Sequence, residues 1–461
     1  MSGIFGVYSN SNGEVSEELL MGTVALQHRG EEGCGISIPK KDGFYSPKDR
    51  QLAYYFFRDR TKGLEGLRLR EPLAAIGHTL YEDTGGLQPV ETWGENHLLS
   101  LAMDGILLGE GGKNDSVMRT LFSRALDKQE MLDIGRIYSA VEDVMTRLDG
   151  RGSYCVASLV LNKLNKEVSL VAFRDPRGIK PYCLGKKNKK YIVASESKAL
   201  DAVESDLIRD IAPGEAVILS RQGINSKRLK QEQSAHCFFE WVYFADPTSV
   251  IEGKNVYEVR KELGRILARR YIERVKDLDF VMASPDSGRG VAIGFQQELS
   301  KLTNRFIPYE EGFVKNSGAK RTFQVENPDE RKLAARVKFF INKQLVHGKK
   351  IAVGDDSIVR GTVFKDGMIY KLRKAGALEI IPVISCPALL HACIKDPRGK
   401  EFVAYGLDGN LESLGKQVAK KINADFVCYP STGDMVQAVG LEEICKACID
   451  GEFPVNQEFW R

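Results

Sequence analysis

The stretch KKIAVGDDSIVRGTVFKDGM, Lys349 to Met368, decides the fold of the second half of the chain. Ile351, Ala352 and Val353 form a short apolar run, as expected of a strand buried on both faces. Gly354 and the acidic pair Asp355–Asp356 end it, and a turn of small and hydroxylated residues follows, from Ser357 through Val359, Arg360 and Gly361 to Thr362. A helix is expected from near Val363 to about Ala375. Strand, acidic pair, Gly/Thr loop and helix N-terminus together make a place for a sugar phosphate. Backbone N–H groups and the helix dipole cradle the phosphate, while two carboxylates hold ribose hydroxyls or a metal ion. An ordinary βα turn that happens to carry acids is the plainer alternative for the same residues.

The chain around this stretch is too long for one core. At 461 residues it predicts two domains of about 200 residues each. Apolar content of 43% with 28% charged residues is that of a globular protein, and 66 basic against 62 acidic residues leave a net charge of +4. Nothing in that balance points to a nucleic-acid partner. The N-terminus MSGIFGVYSN lacks a basic flank and a long apolar region, and no stretch approaches membrane-helix length, so neither export nor a membrane is expected. Nine scattered cysteines then imply a reducing cytoplasm, with thiols or metal ligands rather than disulfides.

In the first half, removal of Met1 is expected because Ser2 is small. Gly3–Tyr8 reads as a buried strand, and a helix from about Ser16 leads into Leu26-Gln27-His28-Arg29-Gly30. Strands are dense from Tyr154 to Ser220, and the basic run at Lys186–Lys190 reads as a solvated hairpin tip. Read with Cys in place of Ser2, the opening CGIFGVY and LQHRG resemble the signature of class II glutamine amidotransferases. Ala172–Pro181 (AFRDPRGIKP), Ala194–Asp201 (ASESKALD) and Ala212–Glu215 (APGE) extend the resemblance to glutamine phosphoribosylpyrophosphate amidotransferases. The 349–368 stretch then resembles the phosphoribosyl diphosphate (PRPP) loop of type I phosphoribosyltransferases. The resemblance covers nearly the whole chain. It implies an N-terminal αββα sandwich of the N-terminal-nucleophile hydrolase type over 2–235, followed by a doubly wound parallel-sheet phosphoribosyltransferase domain over 236–461.

Three departures fall in the glutaminase site. The family's N-terminal Cys thiol attacks the glutamine amide; here that position is Ser2, and an alcohol is a far poorer nucleophile near neutral pH. The family's GHxRY segment carries the Arg that binds the glutamine carboxylate; here it reads GHTLY, with Leu80. The family's HNGN segment supplies an oxyanion-hole Asn; here it reads MDGI, with Asp104, a carboxylate that repels the oxyanion. Losing one such donor costs roughly 3–4 kcal/mol. Arg29, Gly30 and Gly105 still match substrate-site positions. A dead glutaminase kept as a scaffold is the expectation, with a serine-based hydrolase as the alternative.

In the second half, Cys237–Pro247 resembles the family's FEYIYFARPDS, with Asp246 in place of Arg. Pro285-Asp286-Ser287-Gly288 matches the loop that meets pyrophosphate and metal, which makes Ser287 a candidate Mg²⁺-site residue beside Asp355 and Asp356. Lys315–Phe323 matches the loop that closes over PRPP, with Lys315 and Arg321 placed to neutralise pyrophosphate. Some family members hold a four-iron four-sulfur cluster, and Cys237, Cys393, Cys445 and Cys448 stand at matching places. Zinc suits four thiolates equally well, and buried thiols are the plainer alternative. Cys34, Cys155, Cys183, Cys386 and Cys428 are expected in the core.

The functional expectation is transfer of the phosphoribosyl group of PRPP, with Mg²⁺, to ammonia or another nucleophile, releasing pyrophosphate without glutaminase activity. A catalytically silent paralogue that binds PRPP or an iron–sulfur cluster is the first alternative, and a purine-pathway amidotransferase with an altered nucleophile the second. The resemblance also implies a homo-oligomer, dimer or tetramer.

Overall fold

The computed structural model describes residues 2–11, 13–81, 86–109, 113–128, 132–316, 333, 336–393 and 399–456. Two antiparallel sheets face each other in the first half. One, of eight strands, is centred on Gly3–Ser9, which pairs with both Lys190–Ala194 and Ala74–Leu80. The other, of six strands, is centred on His97–Leu107, Gly152–Asn162 and Val168–Arg174. Gly152–Asn162 is buried along its whole length, because apolar side chains alternate with small or hydroxylated ones that fit between the layers. Ile4, Ile76, Ala102, Leu159, Leu170 and Val217 fill the space between the sheets. Helices Ser16–Ala25 and Ala53–Thr61 cover the first sheet, with Leu19, Phe56 and Phe57 packed against Phe5 and Val7. Helices Asn114–Asp127 and Ile134–Arg147 cover the second, through Phe122, Val141 and Phe173. The layers are therefore α, β, β, α, as the family resemblance implies. The expected hairpin at Lys186–Lys190 is present, with Asn188 at φ 55° in its tip.

The second half is built on parallel strands. Phe280–Ala283, Lys350–Asp355 and Glu379–Ile384 lie side by side, and single parallel bridges extend the sheet at Val281–Tyr309 and Val383–Cys428. Helices Val256–Arg270 and Arg289–Leu302 pack on one face through Leu267, Phe295 and Leu299. On the other face lie Phe364, Met368, Leu372, Leu414 and Val418. With helices on both faces, the sheet is doubly wound. The helix after the acidic loop opens as a wide turn, Val363–Ile369, before tightening at Tyr370–Lys374. After Asn255 the chain forms two helices, Val256–Arg270 and Ile272–Val275, separated at Tyr271. Cys34, Cys155, Cys183, Cys386 and Cys428 are all buried, as expected. No helix among the described residues is long and apolar enough to cross a membrane.

Candidate functional site

Asp355 ends the central parallel strand opposite Ile384, at the carboxyl edge of the sheet where crevices for ligands form. Its Oδ1 accepts the Ser287 hydroxyl at 2.9 Å and the Asp356 backbone N–H at 2.9 Å. Ser357 Oγ donates to Asp356 Oδ2 at 2.6 Å. Burial, and then the neighbouring Asp356 carboxylate, push Asp355 well above the usual carboxylate range. The Pro285–Gly288 loop lies directly against this strand: a Cβ on Gly288 would stand 2.0 Å from the Gly354 carbonyl oxygen, so only glycine permits the approach. Gly361, at φ 78°, turns the loop into the helix. Neighbouring segments hold the loop from behind, through Cys386 N–H to Asp356 O at 2.9 Å and Val403 N–H to Val359 O at 2.8 Å. Lys315 Nζ donates to Asp286 Oδ2 at 3.1 Å, and Arg360 pairs with Glu401 at 2.5 Å. Arg321 lies outside the described residues. Two adjacent carboxylates with a hydroxyl beside them fit Mg²⁺, which takes one or two carboxylates and completes its shell with water and substrate phosphates.

The sandwich end is organised by charge. Asp104 Oδ1 accepts the Ser2 backbone N–H at 2.9 Å and the Lys180 ammonium at 2.6 Å, while its Oδ2 faces Arg29 at 3.4 Å. Arg29 is fully buried and also reaches Ser2 O at 3.2 Å, Glu196 at 2.6 Å and Glu240 at 3.1 Å. Glu196 in turn accepts His28 Nε2 at 2.9 Å, Ser249 Oγ at 2.8 Å and the Asp246 N–H at 2.9 Å. Burial alone would raise the Asp104 carboxyl, but Lys180 and Arg29 pull it far below the usual carboxylate range. Burial likewise opposes, and His28 and Arg29 outweigh it, at Glu196, which is also held far below. Arg29, matched in the sequence to a substrate position, is thus placed behind the pocket and joined to acids of both domains. Ser2 Oγ has no hydrogen-bond partner among the described residues. Burial pushes the nearby His78 imidazole down to about 4, leaving it a weak base.

The cysteines come together through a two-stranded parallel ribbon, His236–Cys237 beside Ile444–Cys445, in which Cys237 and Cys445 are paired. Burial pushes the Cys448 thiol well above its usual range, and its thiol neighbours include Cys393, Cys386, Cys237 and Cys445. Among the described residues no three His, Cys, Asp or Glu side chains are grouped around a single ion position. In a cubane each thiolate holds a different iron, so its ligands stand farther apart than those around one ion.

One cavity of about 330 Å³ joins these parts. Ser2, Leu80, Asp104 and Gly105 line one end, Ser287 and the continuous run Asp355–Phe364 another, and Cys237, Cys393 and Cys448 a third side. Val359, Arg360, Gly361 and Thr362 all reach it, whereas Arg29 does not. Lys338, Lys180, Gln88 and Asn114 also line it, and none of them stands out as a site residue in the sequence. Lys338 lies near Asp355, but its local sequence VKFF carries no motif that could have marked it.

An αββα sandwich whose first strand begins at residue 3, sharing a cavity with an acidic-pair loop on a doubly wound parallel sheet, defines an amidotransferase-type sandwich joined to a phosphoribosyltransferase fold. Comparison with known proteins makes the assignment specific. The amidophosphoribosyltransferase of Methanocaldococcus jannaschii is 32% identical over 498 residues, an alignment spanning 100% of this chain and 98% of that protein. That of Mycobacterium tuberculosis is 32% identical over 482 residues, spanning 98% and 86%. The B. subtilis glutamine PRPP amidotransferase, solved with ADP and GMP, superposes with a TM-score of 0.82 at 28% identity, covering 98% of this chain and 97% of that one. No protein-family model matches. The chain belongs to the amidophosphoribosyltransferase family.

Proposed function

We propose that this protein transfers the phosphoribosyl group of PRPP to ammonia or another nucleophile, releasing pyrophosphate, and does not hydrolyse glutamine. The observation that carries this reading is Asp104. A carboxylate occupies the oxyanion position and is held there by Lys180, Arg29 and the Ser2 N–H, so the pocket presents an acceptor with no hydrogen to donate where negative charge would develop. Leu80 removes the carboxylate-binding guanidinium, and Ser2 Oγ has no base on it.

The phosphoribosyl end keeps its parts. Asp355, Asp356 and Ser287 would hold Mg²⁺, which when bound neutralises charge developing on pyrophosphate. Asp355 and Asp356 orient the ribose hydroxyls, and the Ser357–Thr362 backbone with the helix N-terminus receives the 5′-phosphate. Pyrophosphate would compete with Asp286 for Lys315, with Lys338 lining the same cavity. The division at 235/236 places the Cys237 ribbon in the second domain. Cys237, Cys393, Cys445 and Cys448 would hold a four-iron four-sulfur cluster, a group that four thiolates suit, with Cys237 paired to Cys445 and Cys448 beside the other thiols.

Pyrophosphate release from PRPP and Mg²⁺ by the full-length protein, purified anaerobically, tests this reading. Release is expected with ammonium and not with glutamine, and Ser2→Cys alone is expected to yield no glutamate, because Leu80 and Asp104 remain. Glutamate production by the unaltered protein would refute the dead-glutaminase reading. Binding of PRPP without release under any nucleophile would favour the silent paralogue. For the cysteines, anaerobic protein is expected to carry about four irons per chain with a broad visible absorbance lost in Cys448→Ser. One zinc, or no metal, would refute the cluster.

A further inference from the structure

The cavity continues past the phosphoribosyl loop to the sandwich, where Leu80, Met103 and Ile106 form an apolar end wall. Phe239, Tyr243 and Phe244 line the same cavity. Their ring centroids lie 5.9, 4.8 and 5.4 Å apart, taken pairwise, so they form one aromatic cluster rather than isolated contacts. Charge at the sandwich end is already compensated within the protein, since Lys180 and Arg29 hold Asp104. What that end still offers are neutral donors. Gln88 Oε1 accepts the Met103 N–H at 2.6 Å and Asn114 Oδ1 accepts the Leu107 N–H at 3.0 Å, which sets the orientation of both carboxamides. Both side chains line the cavity, and among the described residues neither carboxamide nitrogen has a hydrogen-bond partner.

A chamber with apolar and aromatic sides and neutral donors at its end accommodates a flat apolar body that carries a hydrogen-bond acceptor. It disfavours a cation, which would be desolvated there with no free carboxylate to receive it. Ammonia and alkylamines are cations at neutral pH and must lose a proton before they attack. An arylamine is already neutral and needs no base at that stage.

Building on the transferase reading, we infer that the acceptor is a primary arylamine bearing a carbonyl or carboxylate, its ring against Phe239, Tyr243 and Phe244 and its substituent toward Gln88 and Asn114. The nitrogen lone pair forms the bond to ribose C1 as the bond from C1 to the pyrophosphate oxygen breaks. Pyrophosphate leaves with that electron pair, and the proton lost from nitrogen passes to a pyrophosphate oxygen or to water. No oxidant or reductant enters.

The test compares aniline, 4-aminobenzoate, benzylamine and ammonium as nucleophiles at neutral pH, reading pyrophosphate release and the mass of the N-ribosylated product. 4-Aminobenzoate is expected to exceed ammonium in kcat/KM by at least about tenfold, and Leu80→Trp, which fills the end wall, to cut that ratio by about tenfold or more. Gln88→Leu, which keeps the size and removes the donor, is expected to raise KM for 4-aminobenzoate more than for aniline. Turnover with ammonium but with neither arylamine overturns the arylamine assignment and leaves the transferase reading intact. PRPP binding without turnover on any of the four overturns the transferase reading itself.

Discussion

Replacing Asp355 and Asp356 together with asparagine is expected to lower pyrophosphate release by about three orders of magnitude, the rate equivalent of several kcal/mol of lost charge stabilisation. The two carboxylates stand side by side at the end of the central strand, and Asp355 is buried, its Oδ1 accepting from Ser287 Oγ and the Asp356 N–H. An asparagine keeps the shape but removes the charge that a divalent cation needs. The same substitution should not weaken the fold. Two adjacent buried carboxylates repel, and neutral amides relieve that repulsion. The apparent Tm is therefore expected to hold or rise while activity collapses. A variant that lost activity and Tm together would show that these acids support the fold, and one that kept its rate would remove them from the site.

The second large effect is on stability. Arg29→Met is expected to cost about 3–5 kcal/mol, because it leaves Glu196, Glu240 and Asp104 buried without their shared cation. In a thermal scan that corresponds to a drop in apparent Tm on the order of 10 °C. The pH dependence identifies the cause. Asp104 and Glu196 are held far below their unfolded values of about 4, so their contribution is present in full above that range and declines as pH falls below it. The deficit of Arg29→Met should accordingly be greatest near neutral pH and narrow in acid. A deficit independent of pH would point to lost packing instead.

The sequence made the local features legible. The run Ile351–Val353 ended by Gly354 and two acids could only be a buried strand meeting a loop, because strand burial and turn chemistry are written in adjacent residues. The sandwich strands were legible for the same reason, down to the hairpin at Lys186–Lys190. Ser2, Leu80 and Asp104 were legible as departures from the family's motifs, but the contacts of Asp104 with Lys180 and Arg29 were not. The ion network joins Arg29 to residues 75, 167 and 211 positions away, and no spacing rule connects those positions. Gln88, Asn114 and Lys338 were invisible for a related reason: each lines the cavity from a stretch whose local pattern carries no site motif.

The ribbon that sets Cys237 beside Cys445 brings a segment at the start of the second half into parallel contact with one near its end. His236, on the same short strand, donates its backbone N–H to Glu443 O at 2.8 Å and sits against Gly178 and Arg174 of the sandwich. The tail is thereby a clasp for the junction between the halves. A protease cut or truncation just before Ile444 would act at a distance: it would free the strand that anchors the junction, and the sandwich would register damage done at the far end of the chain.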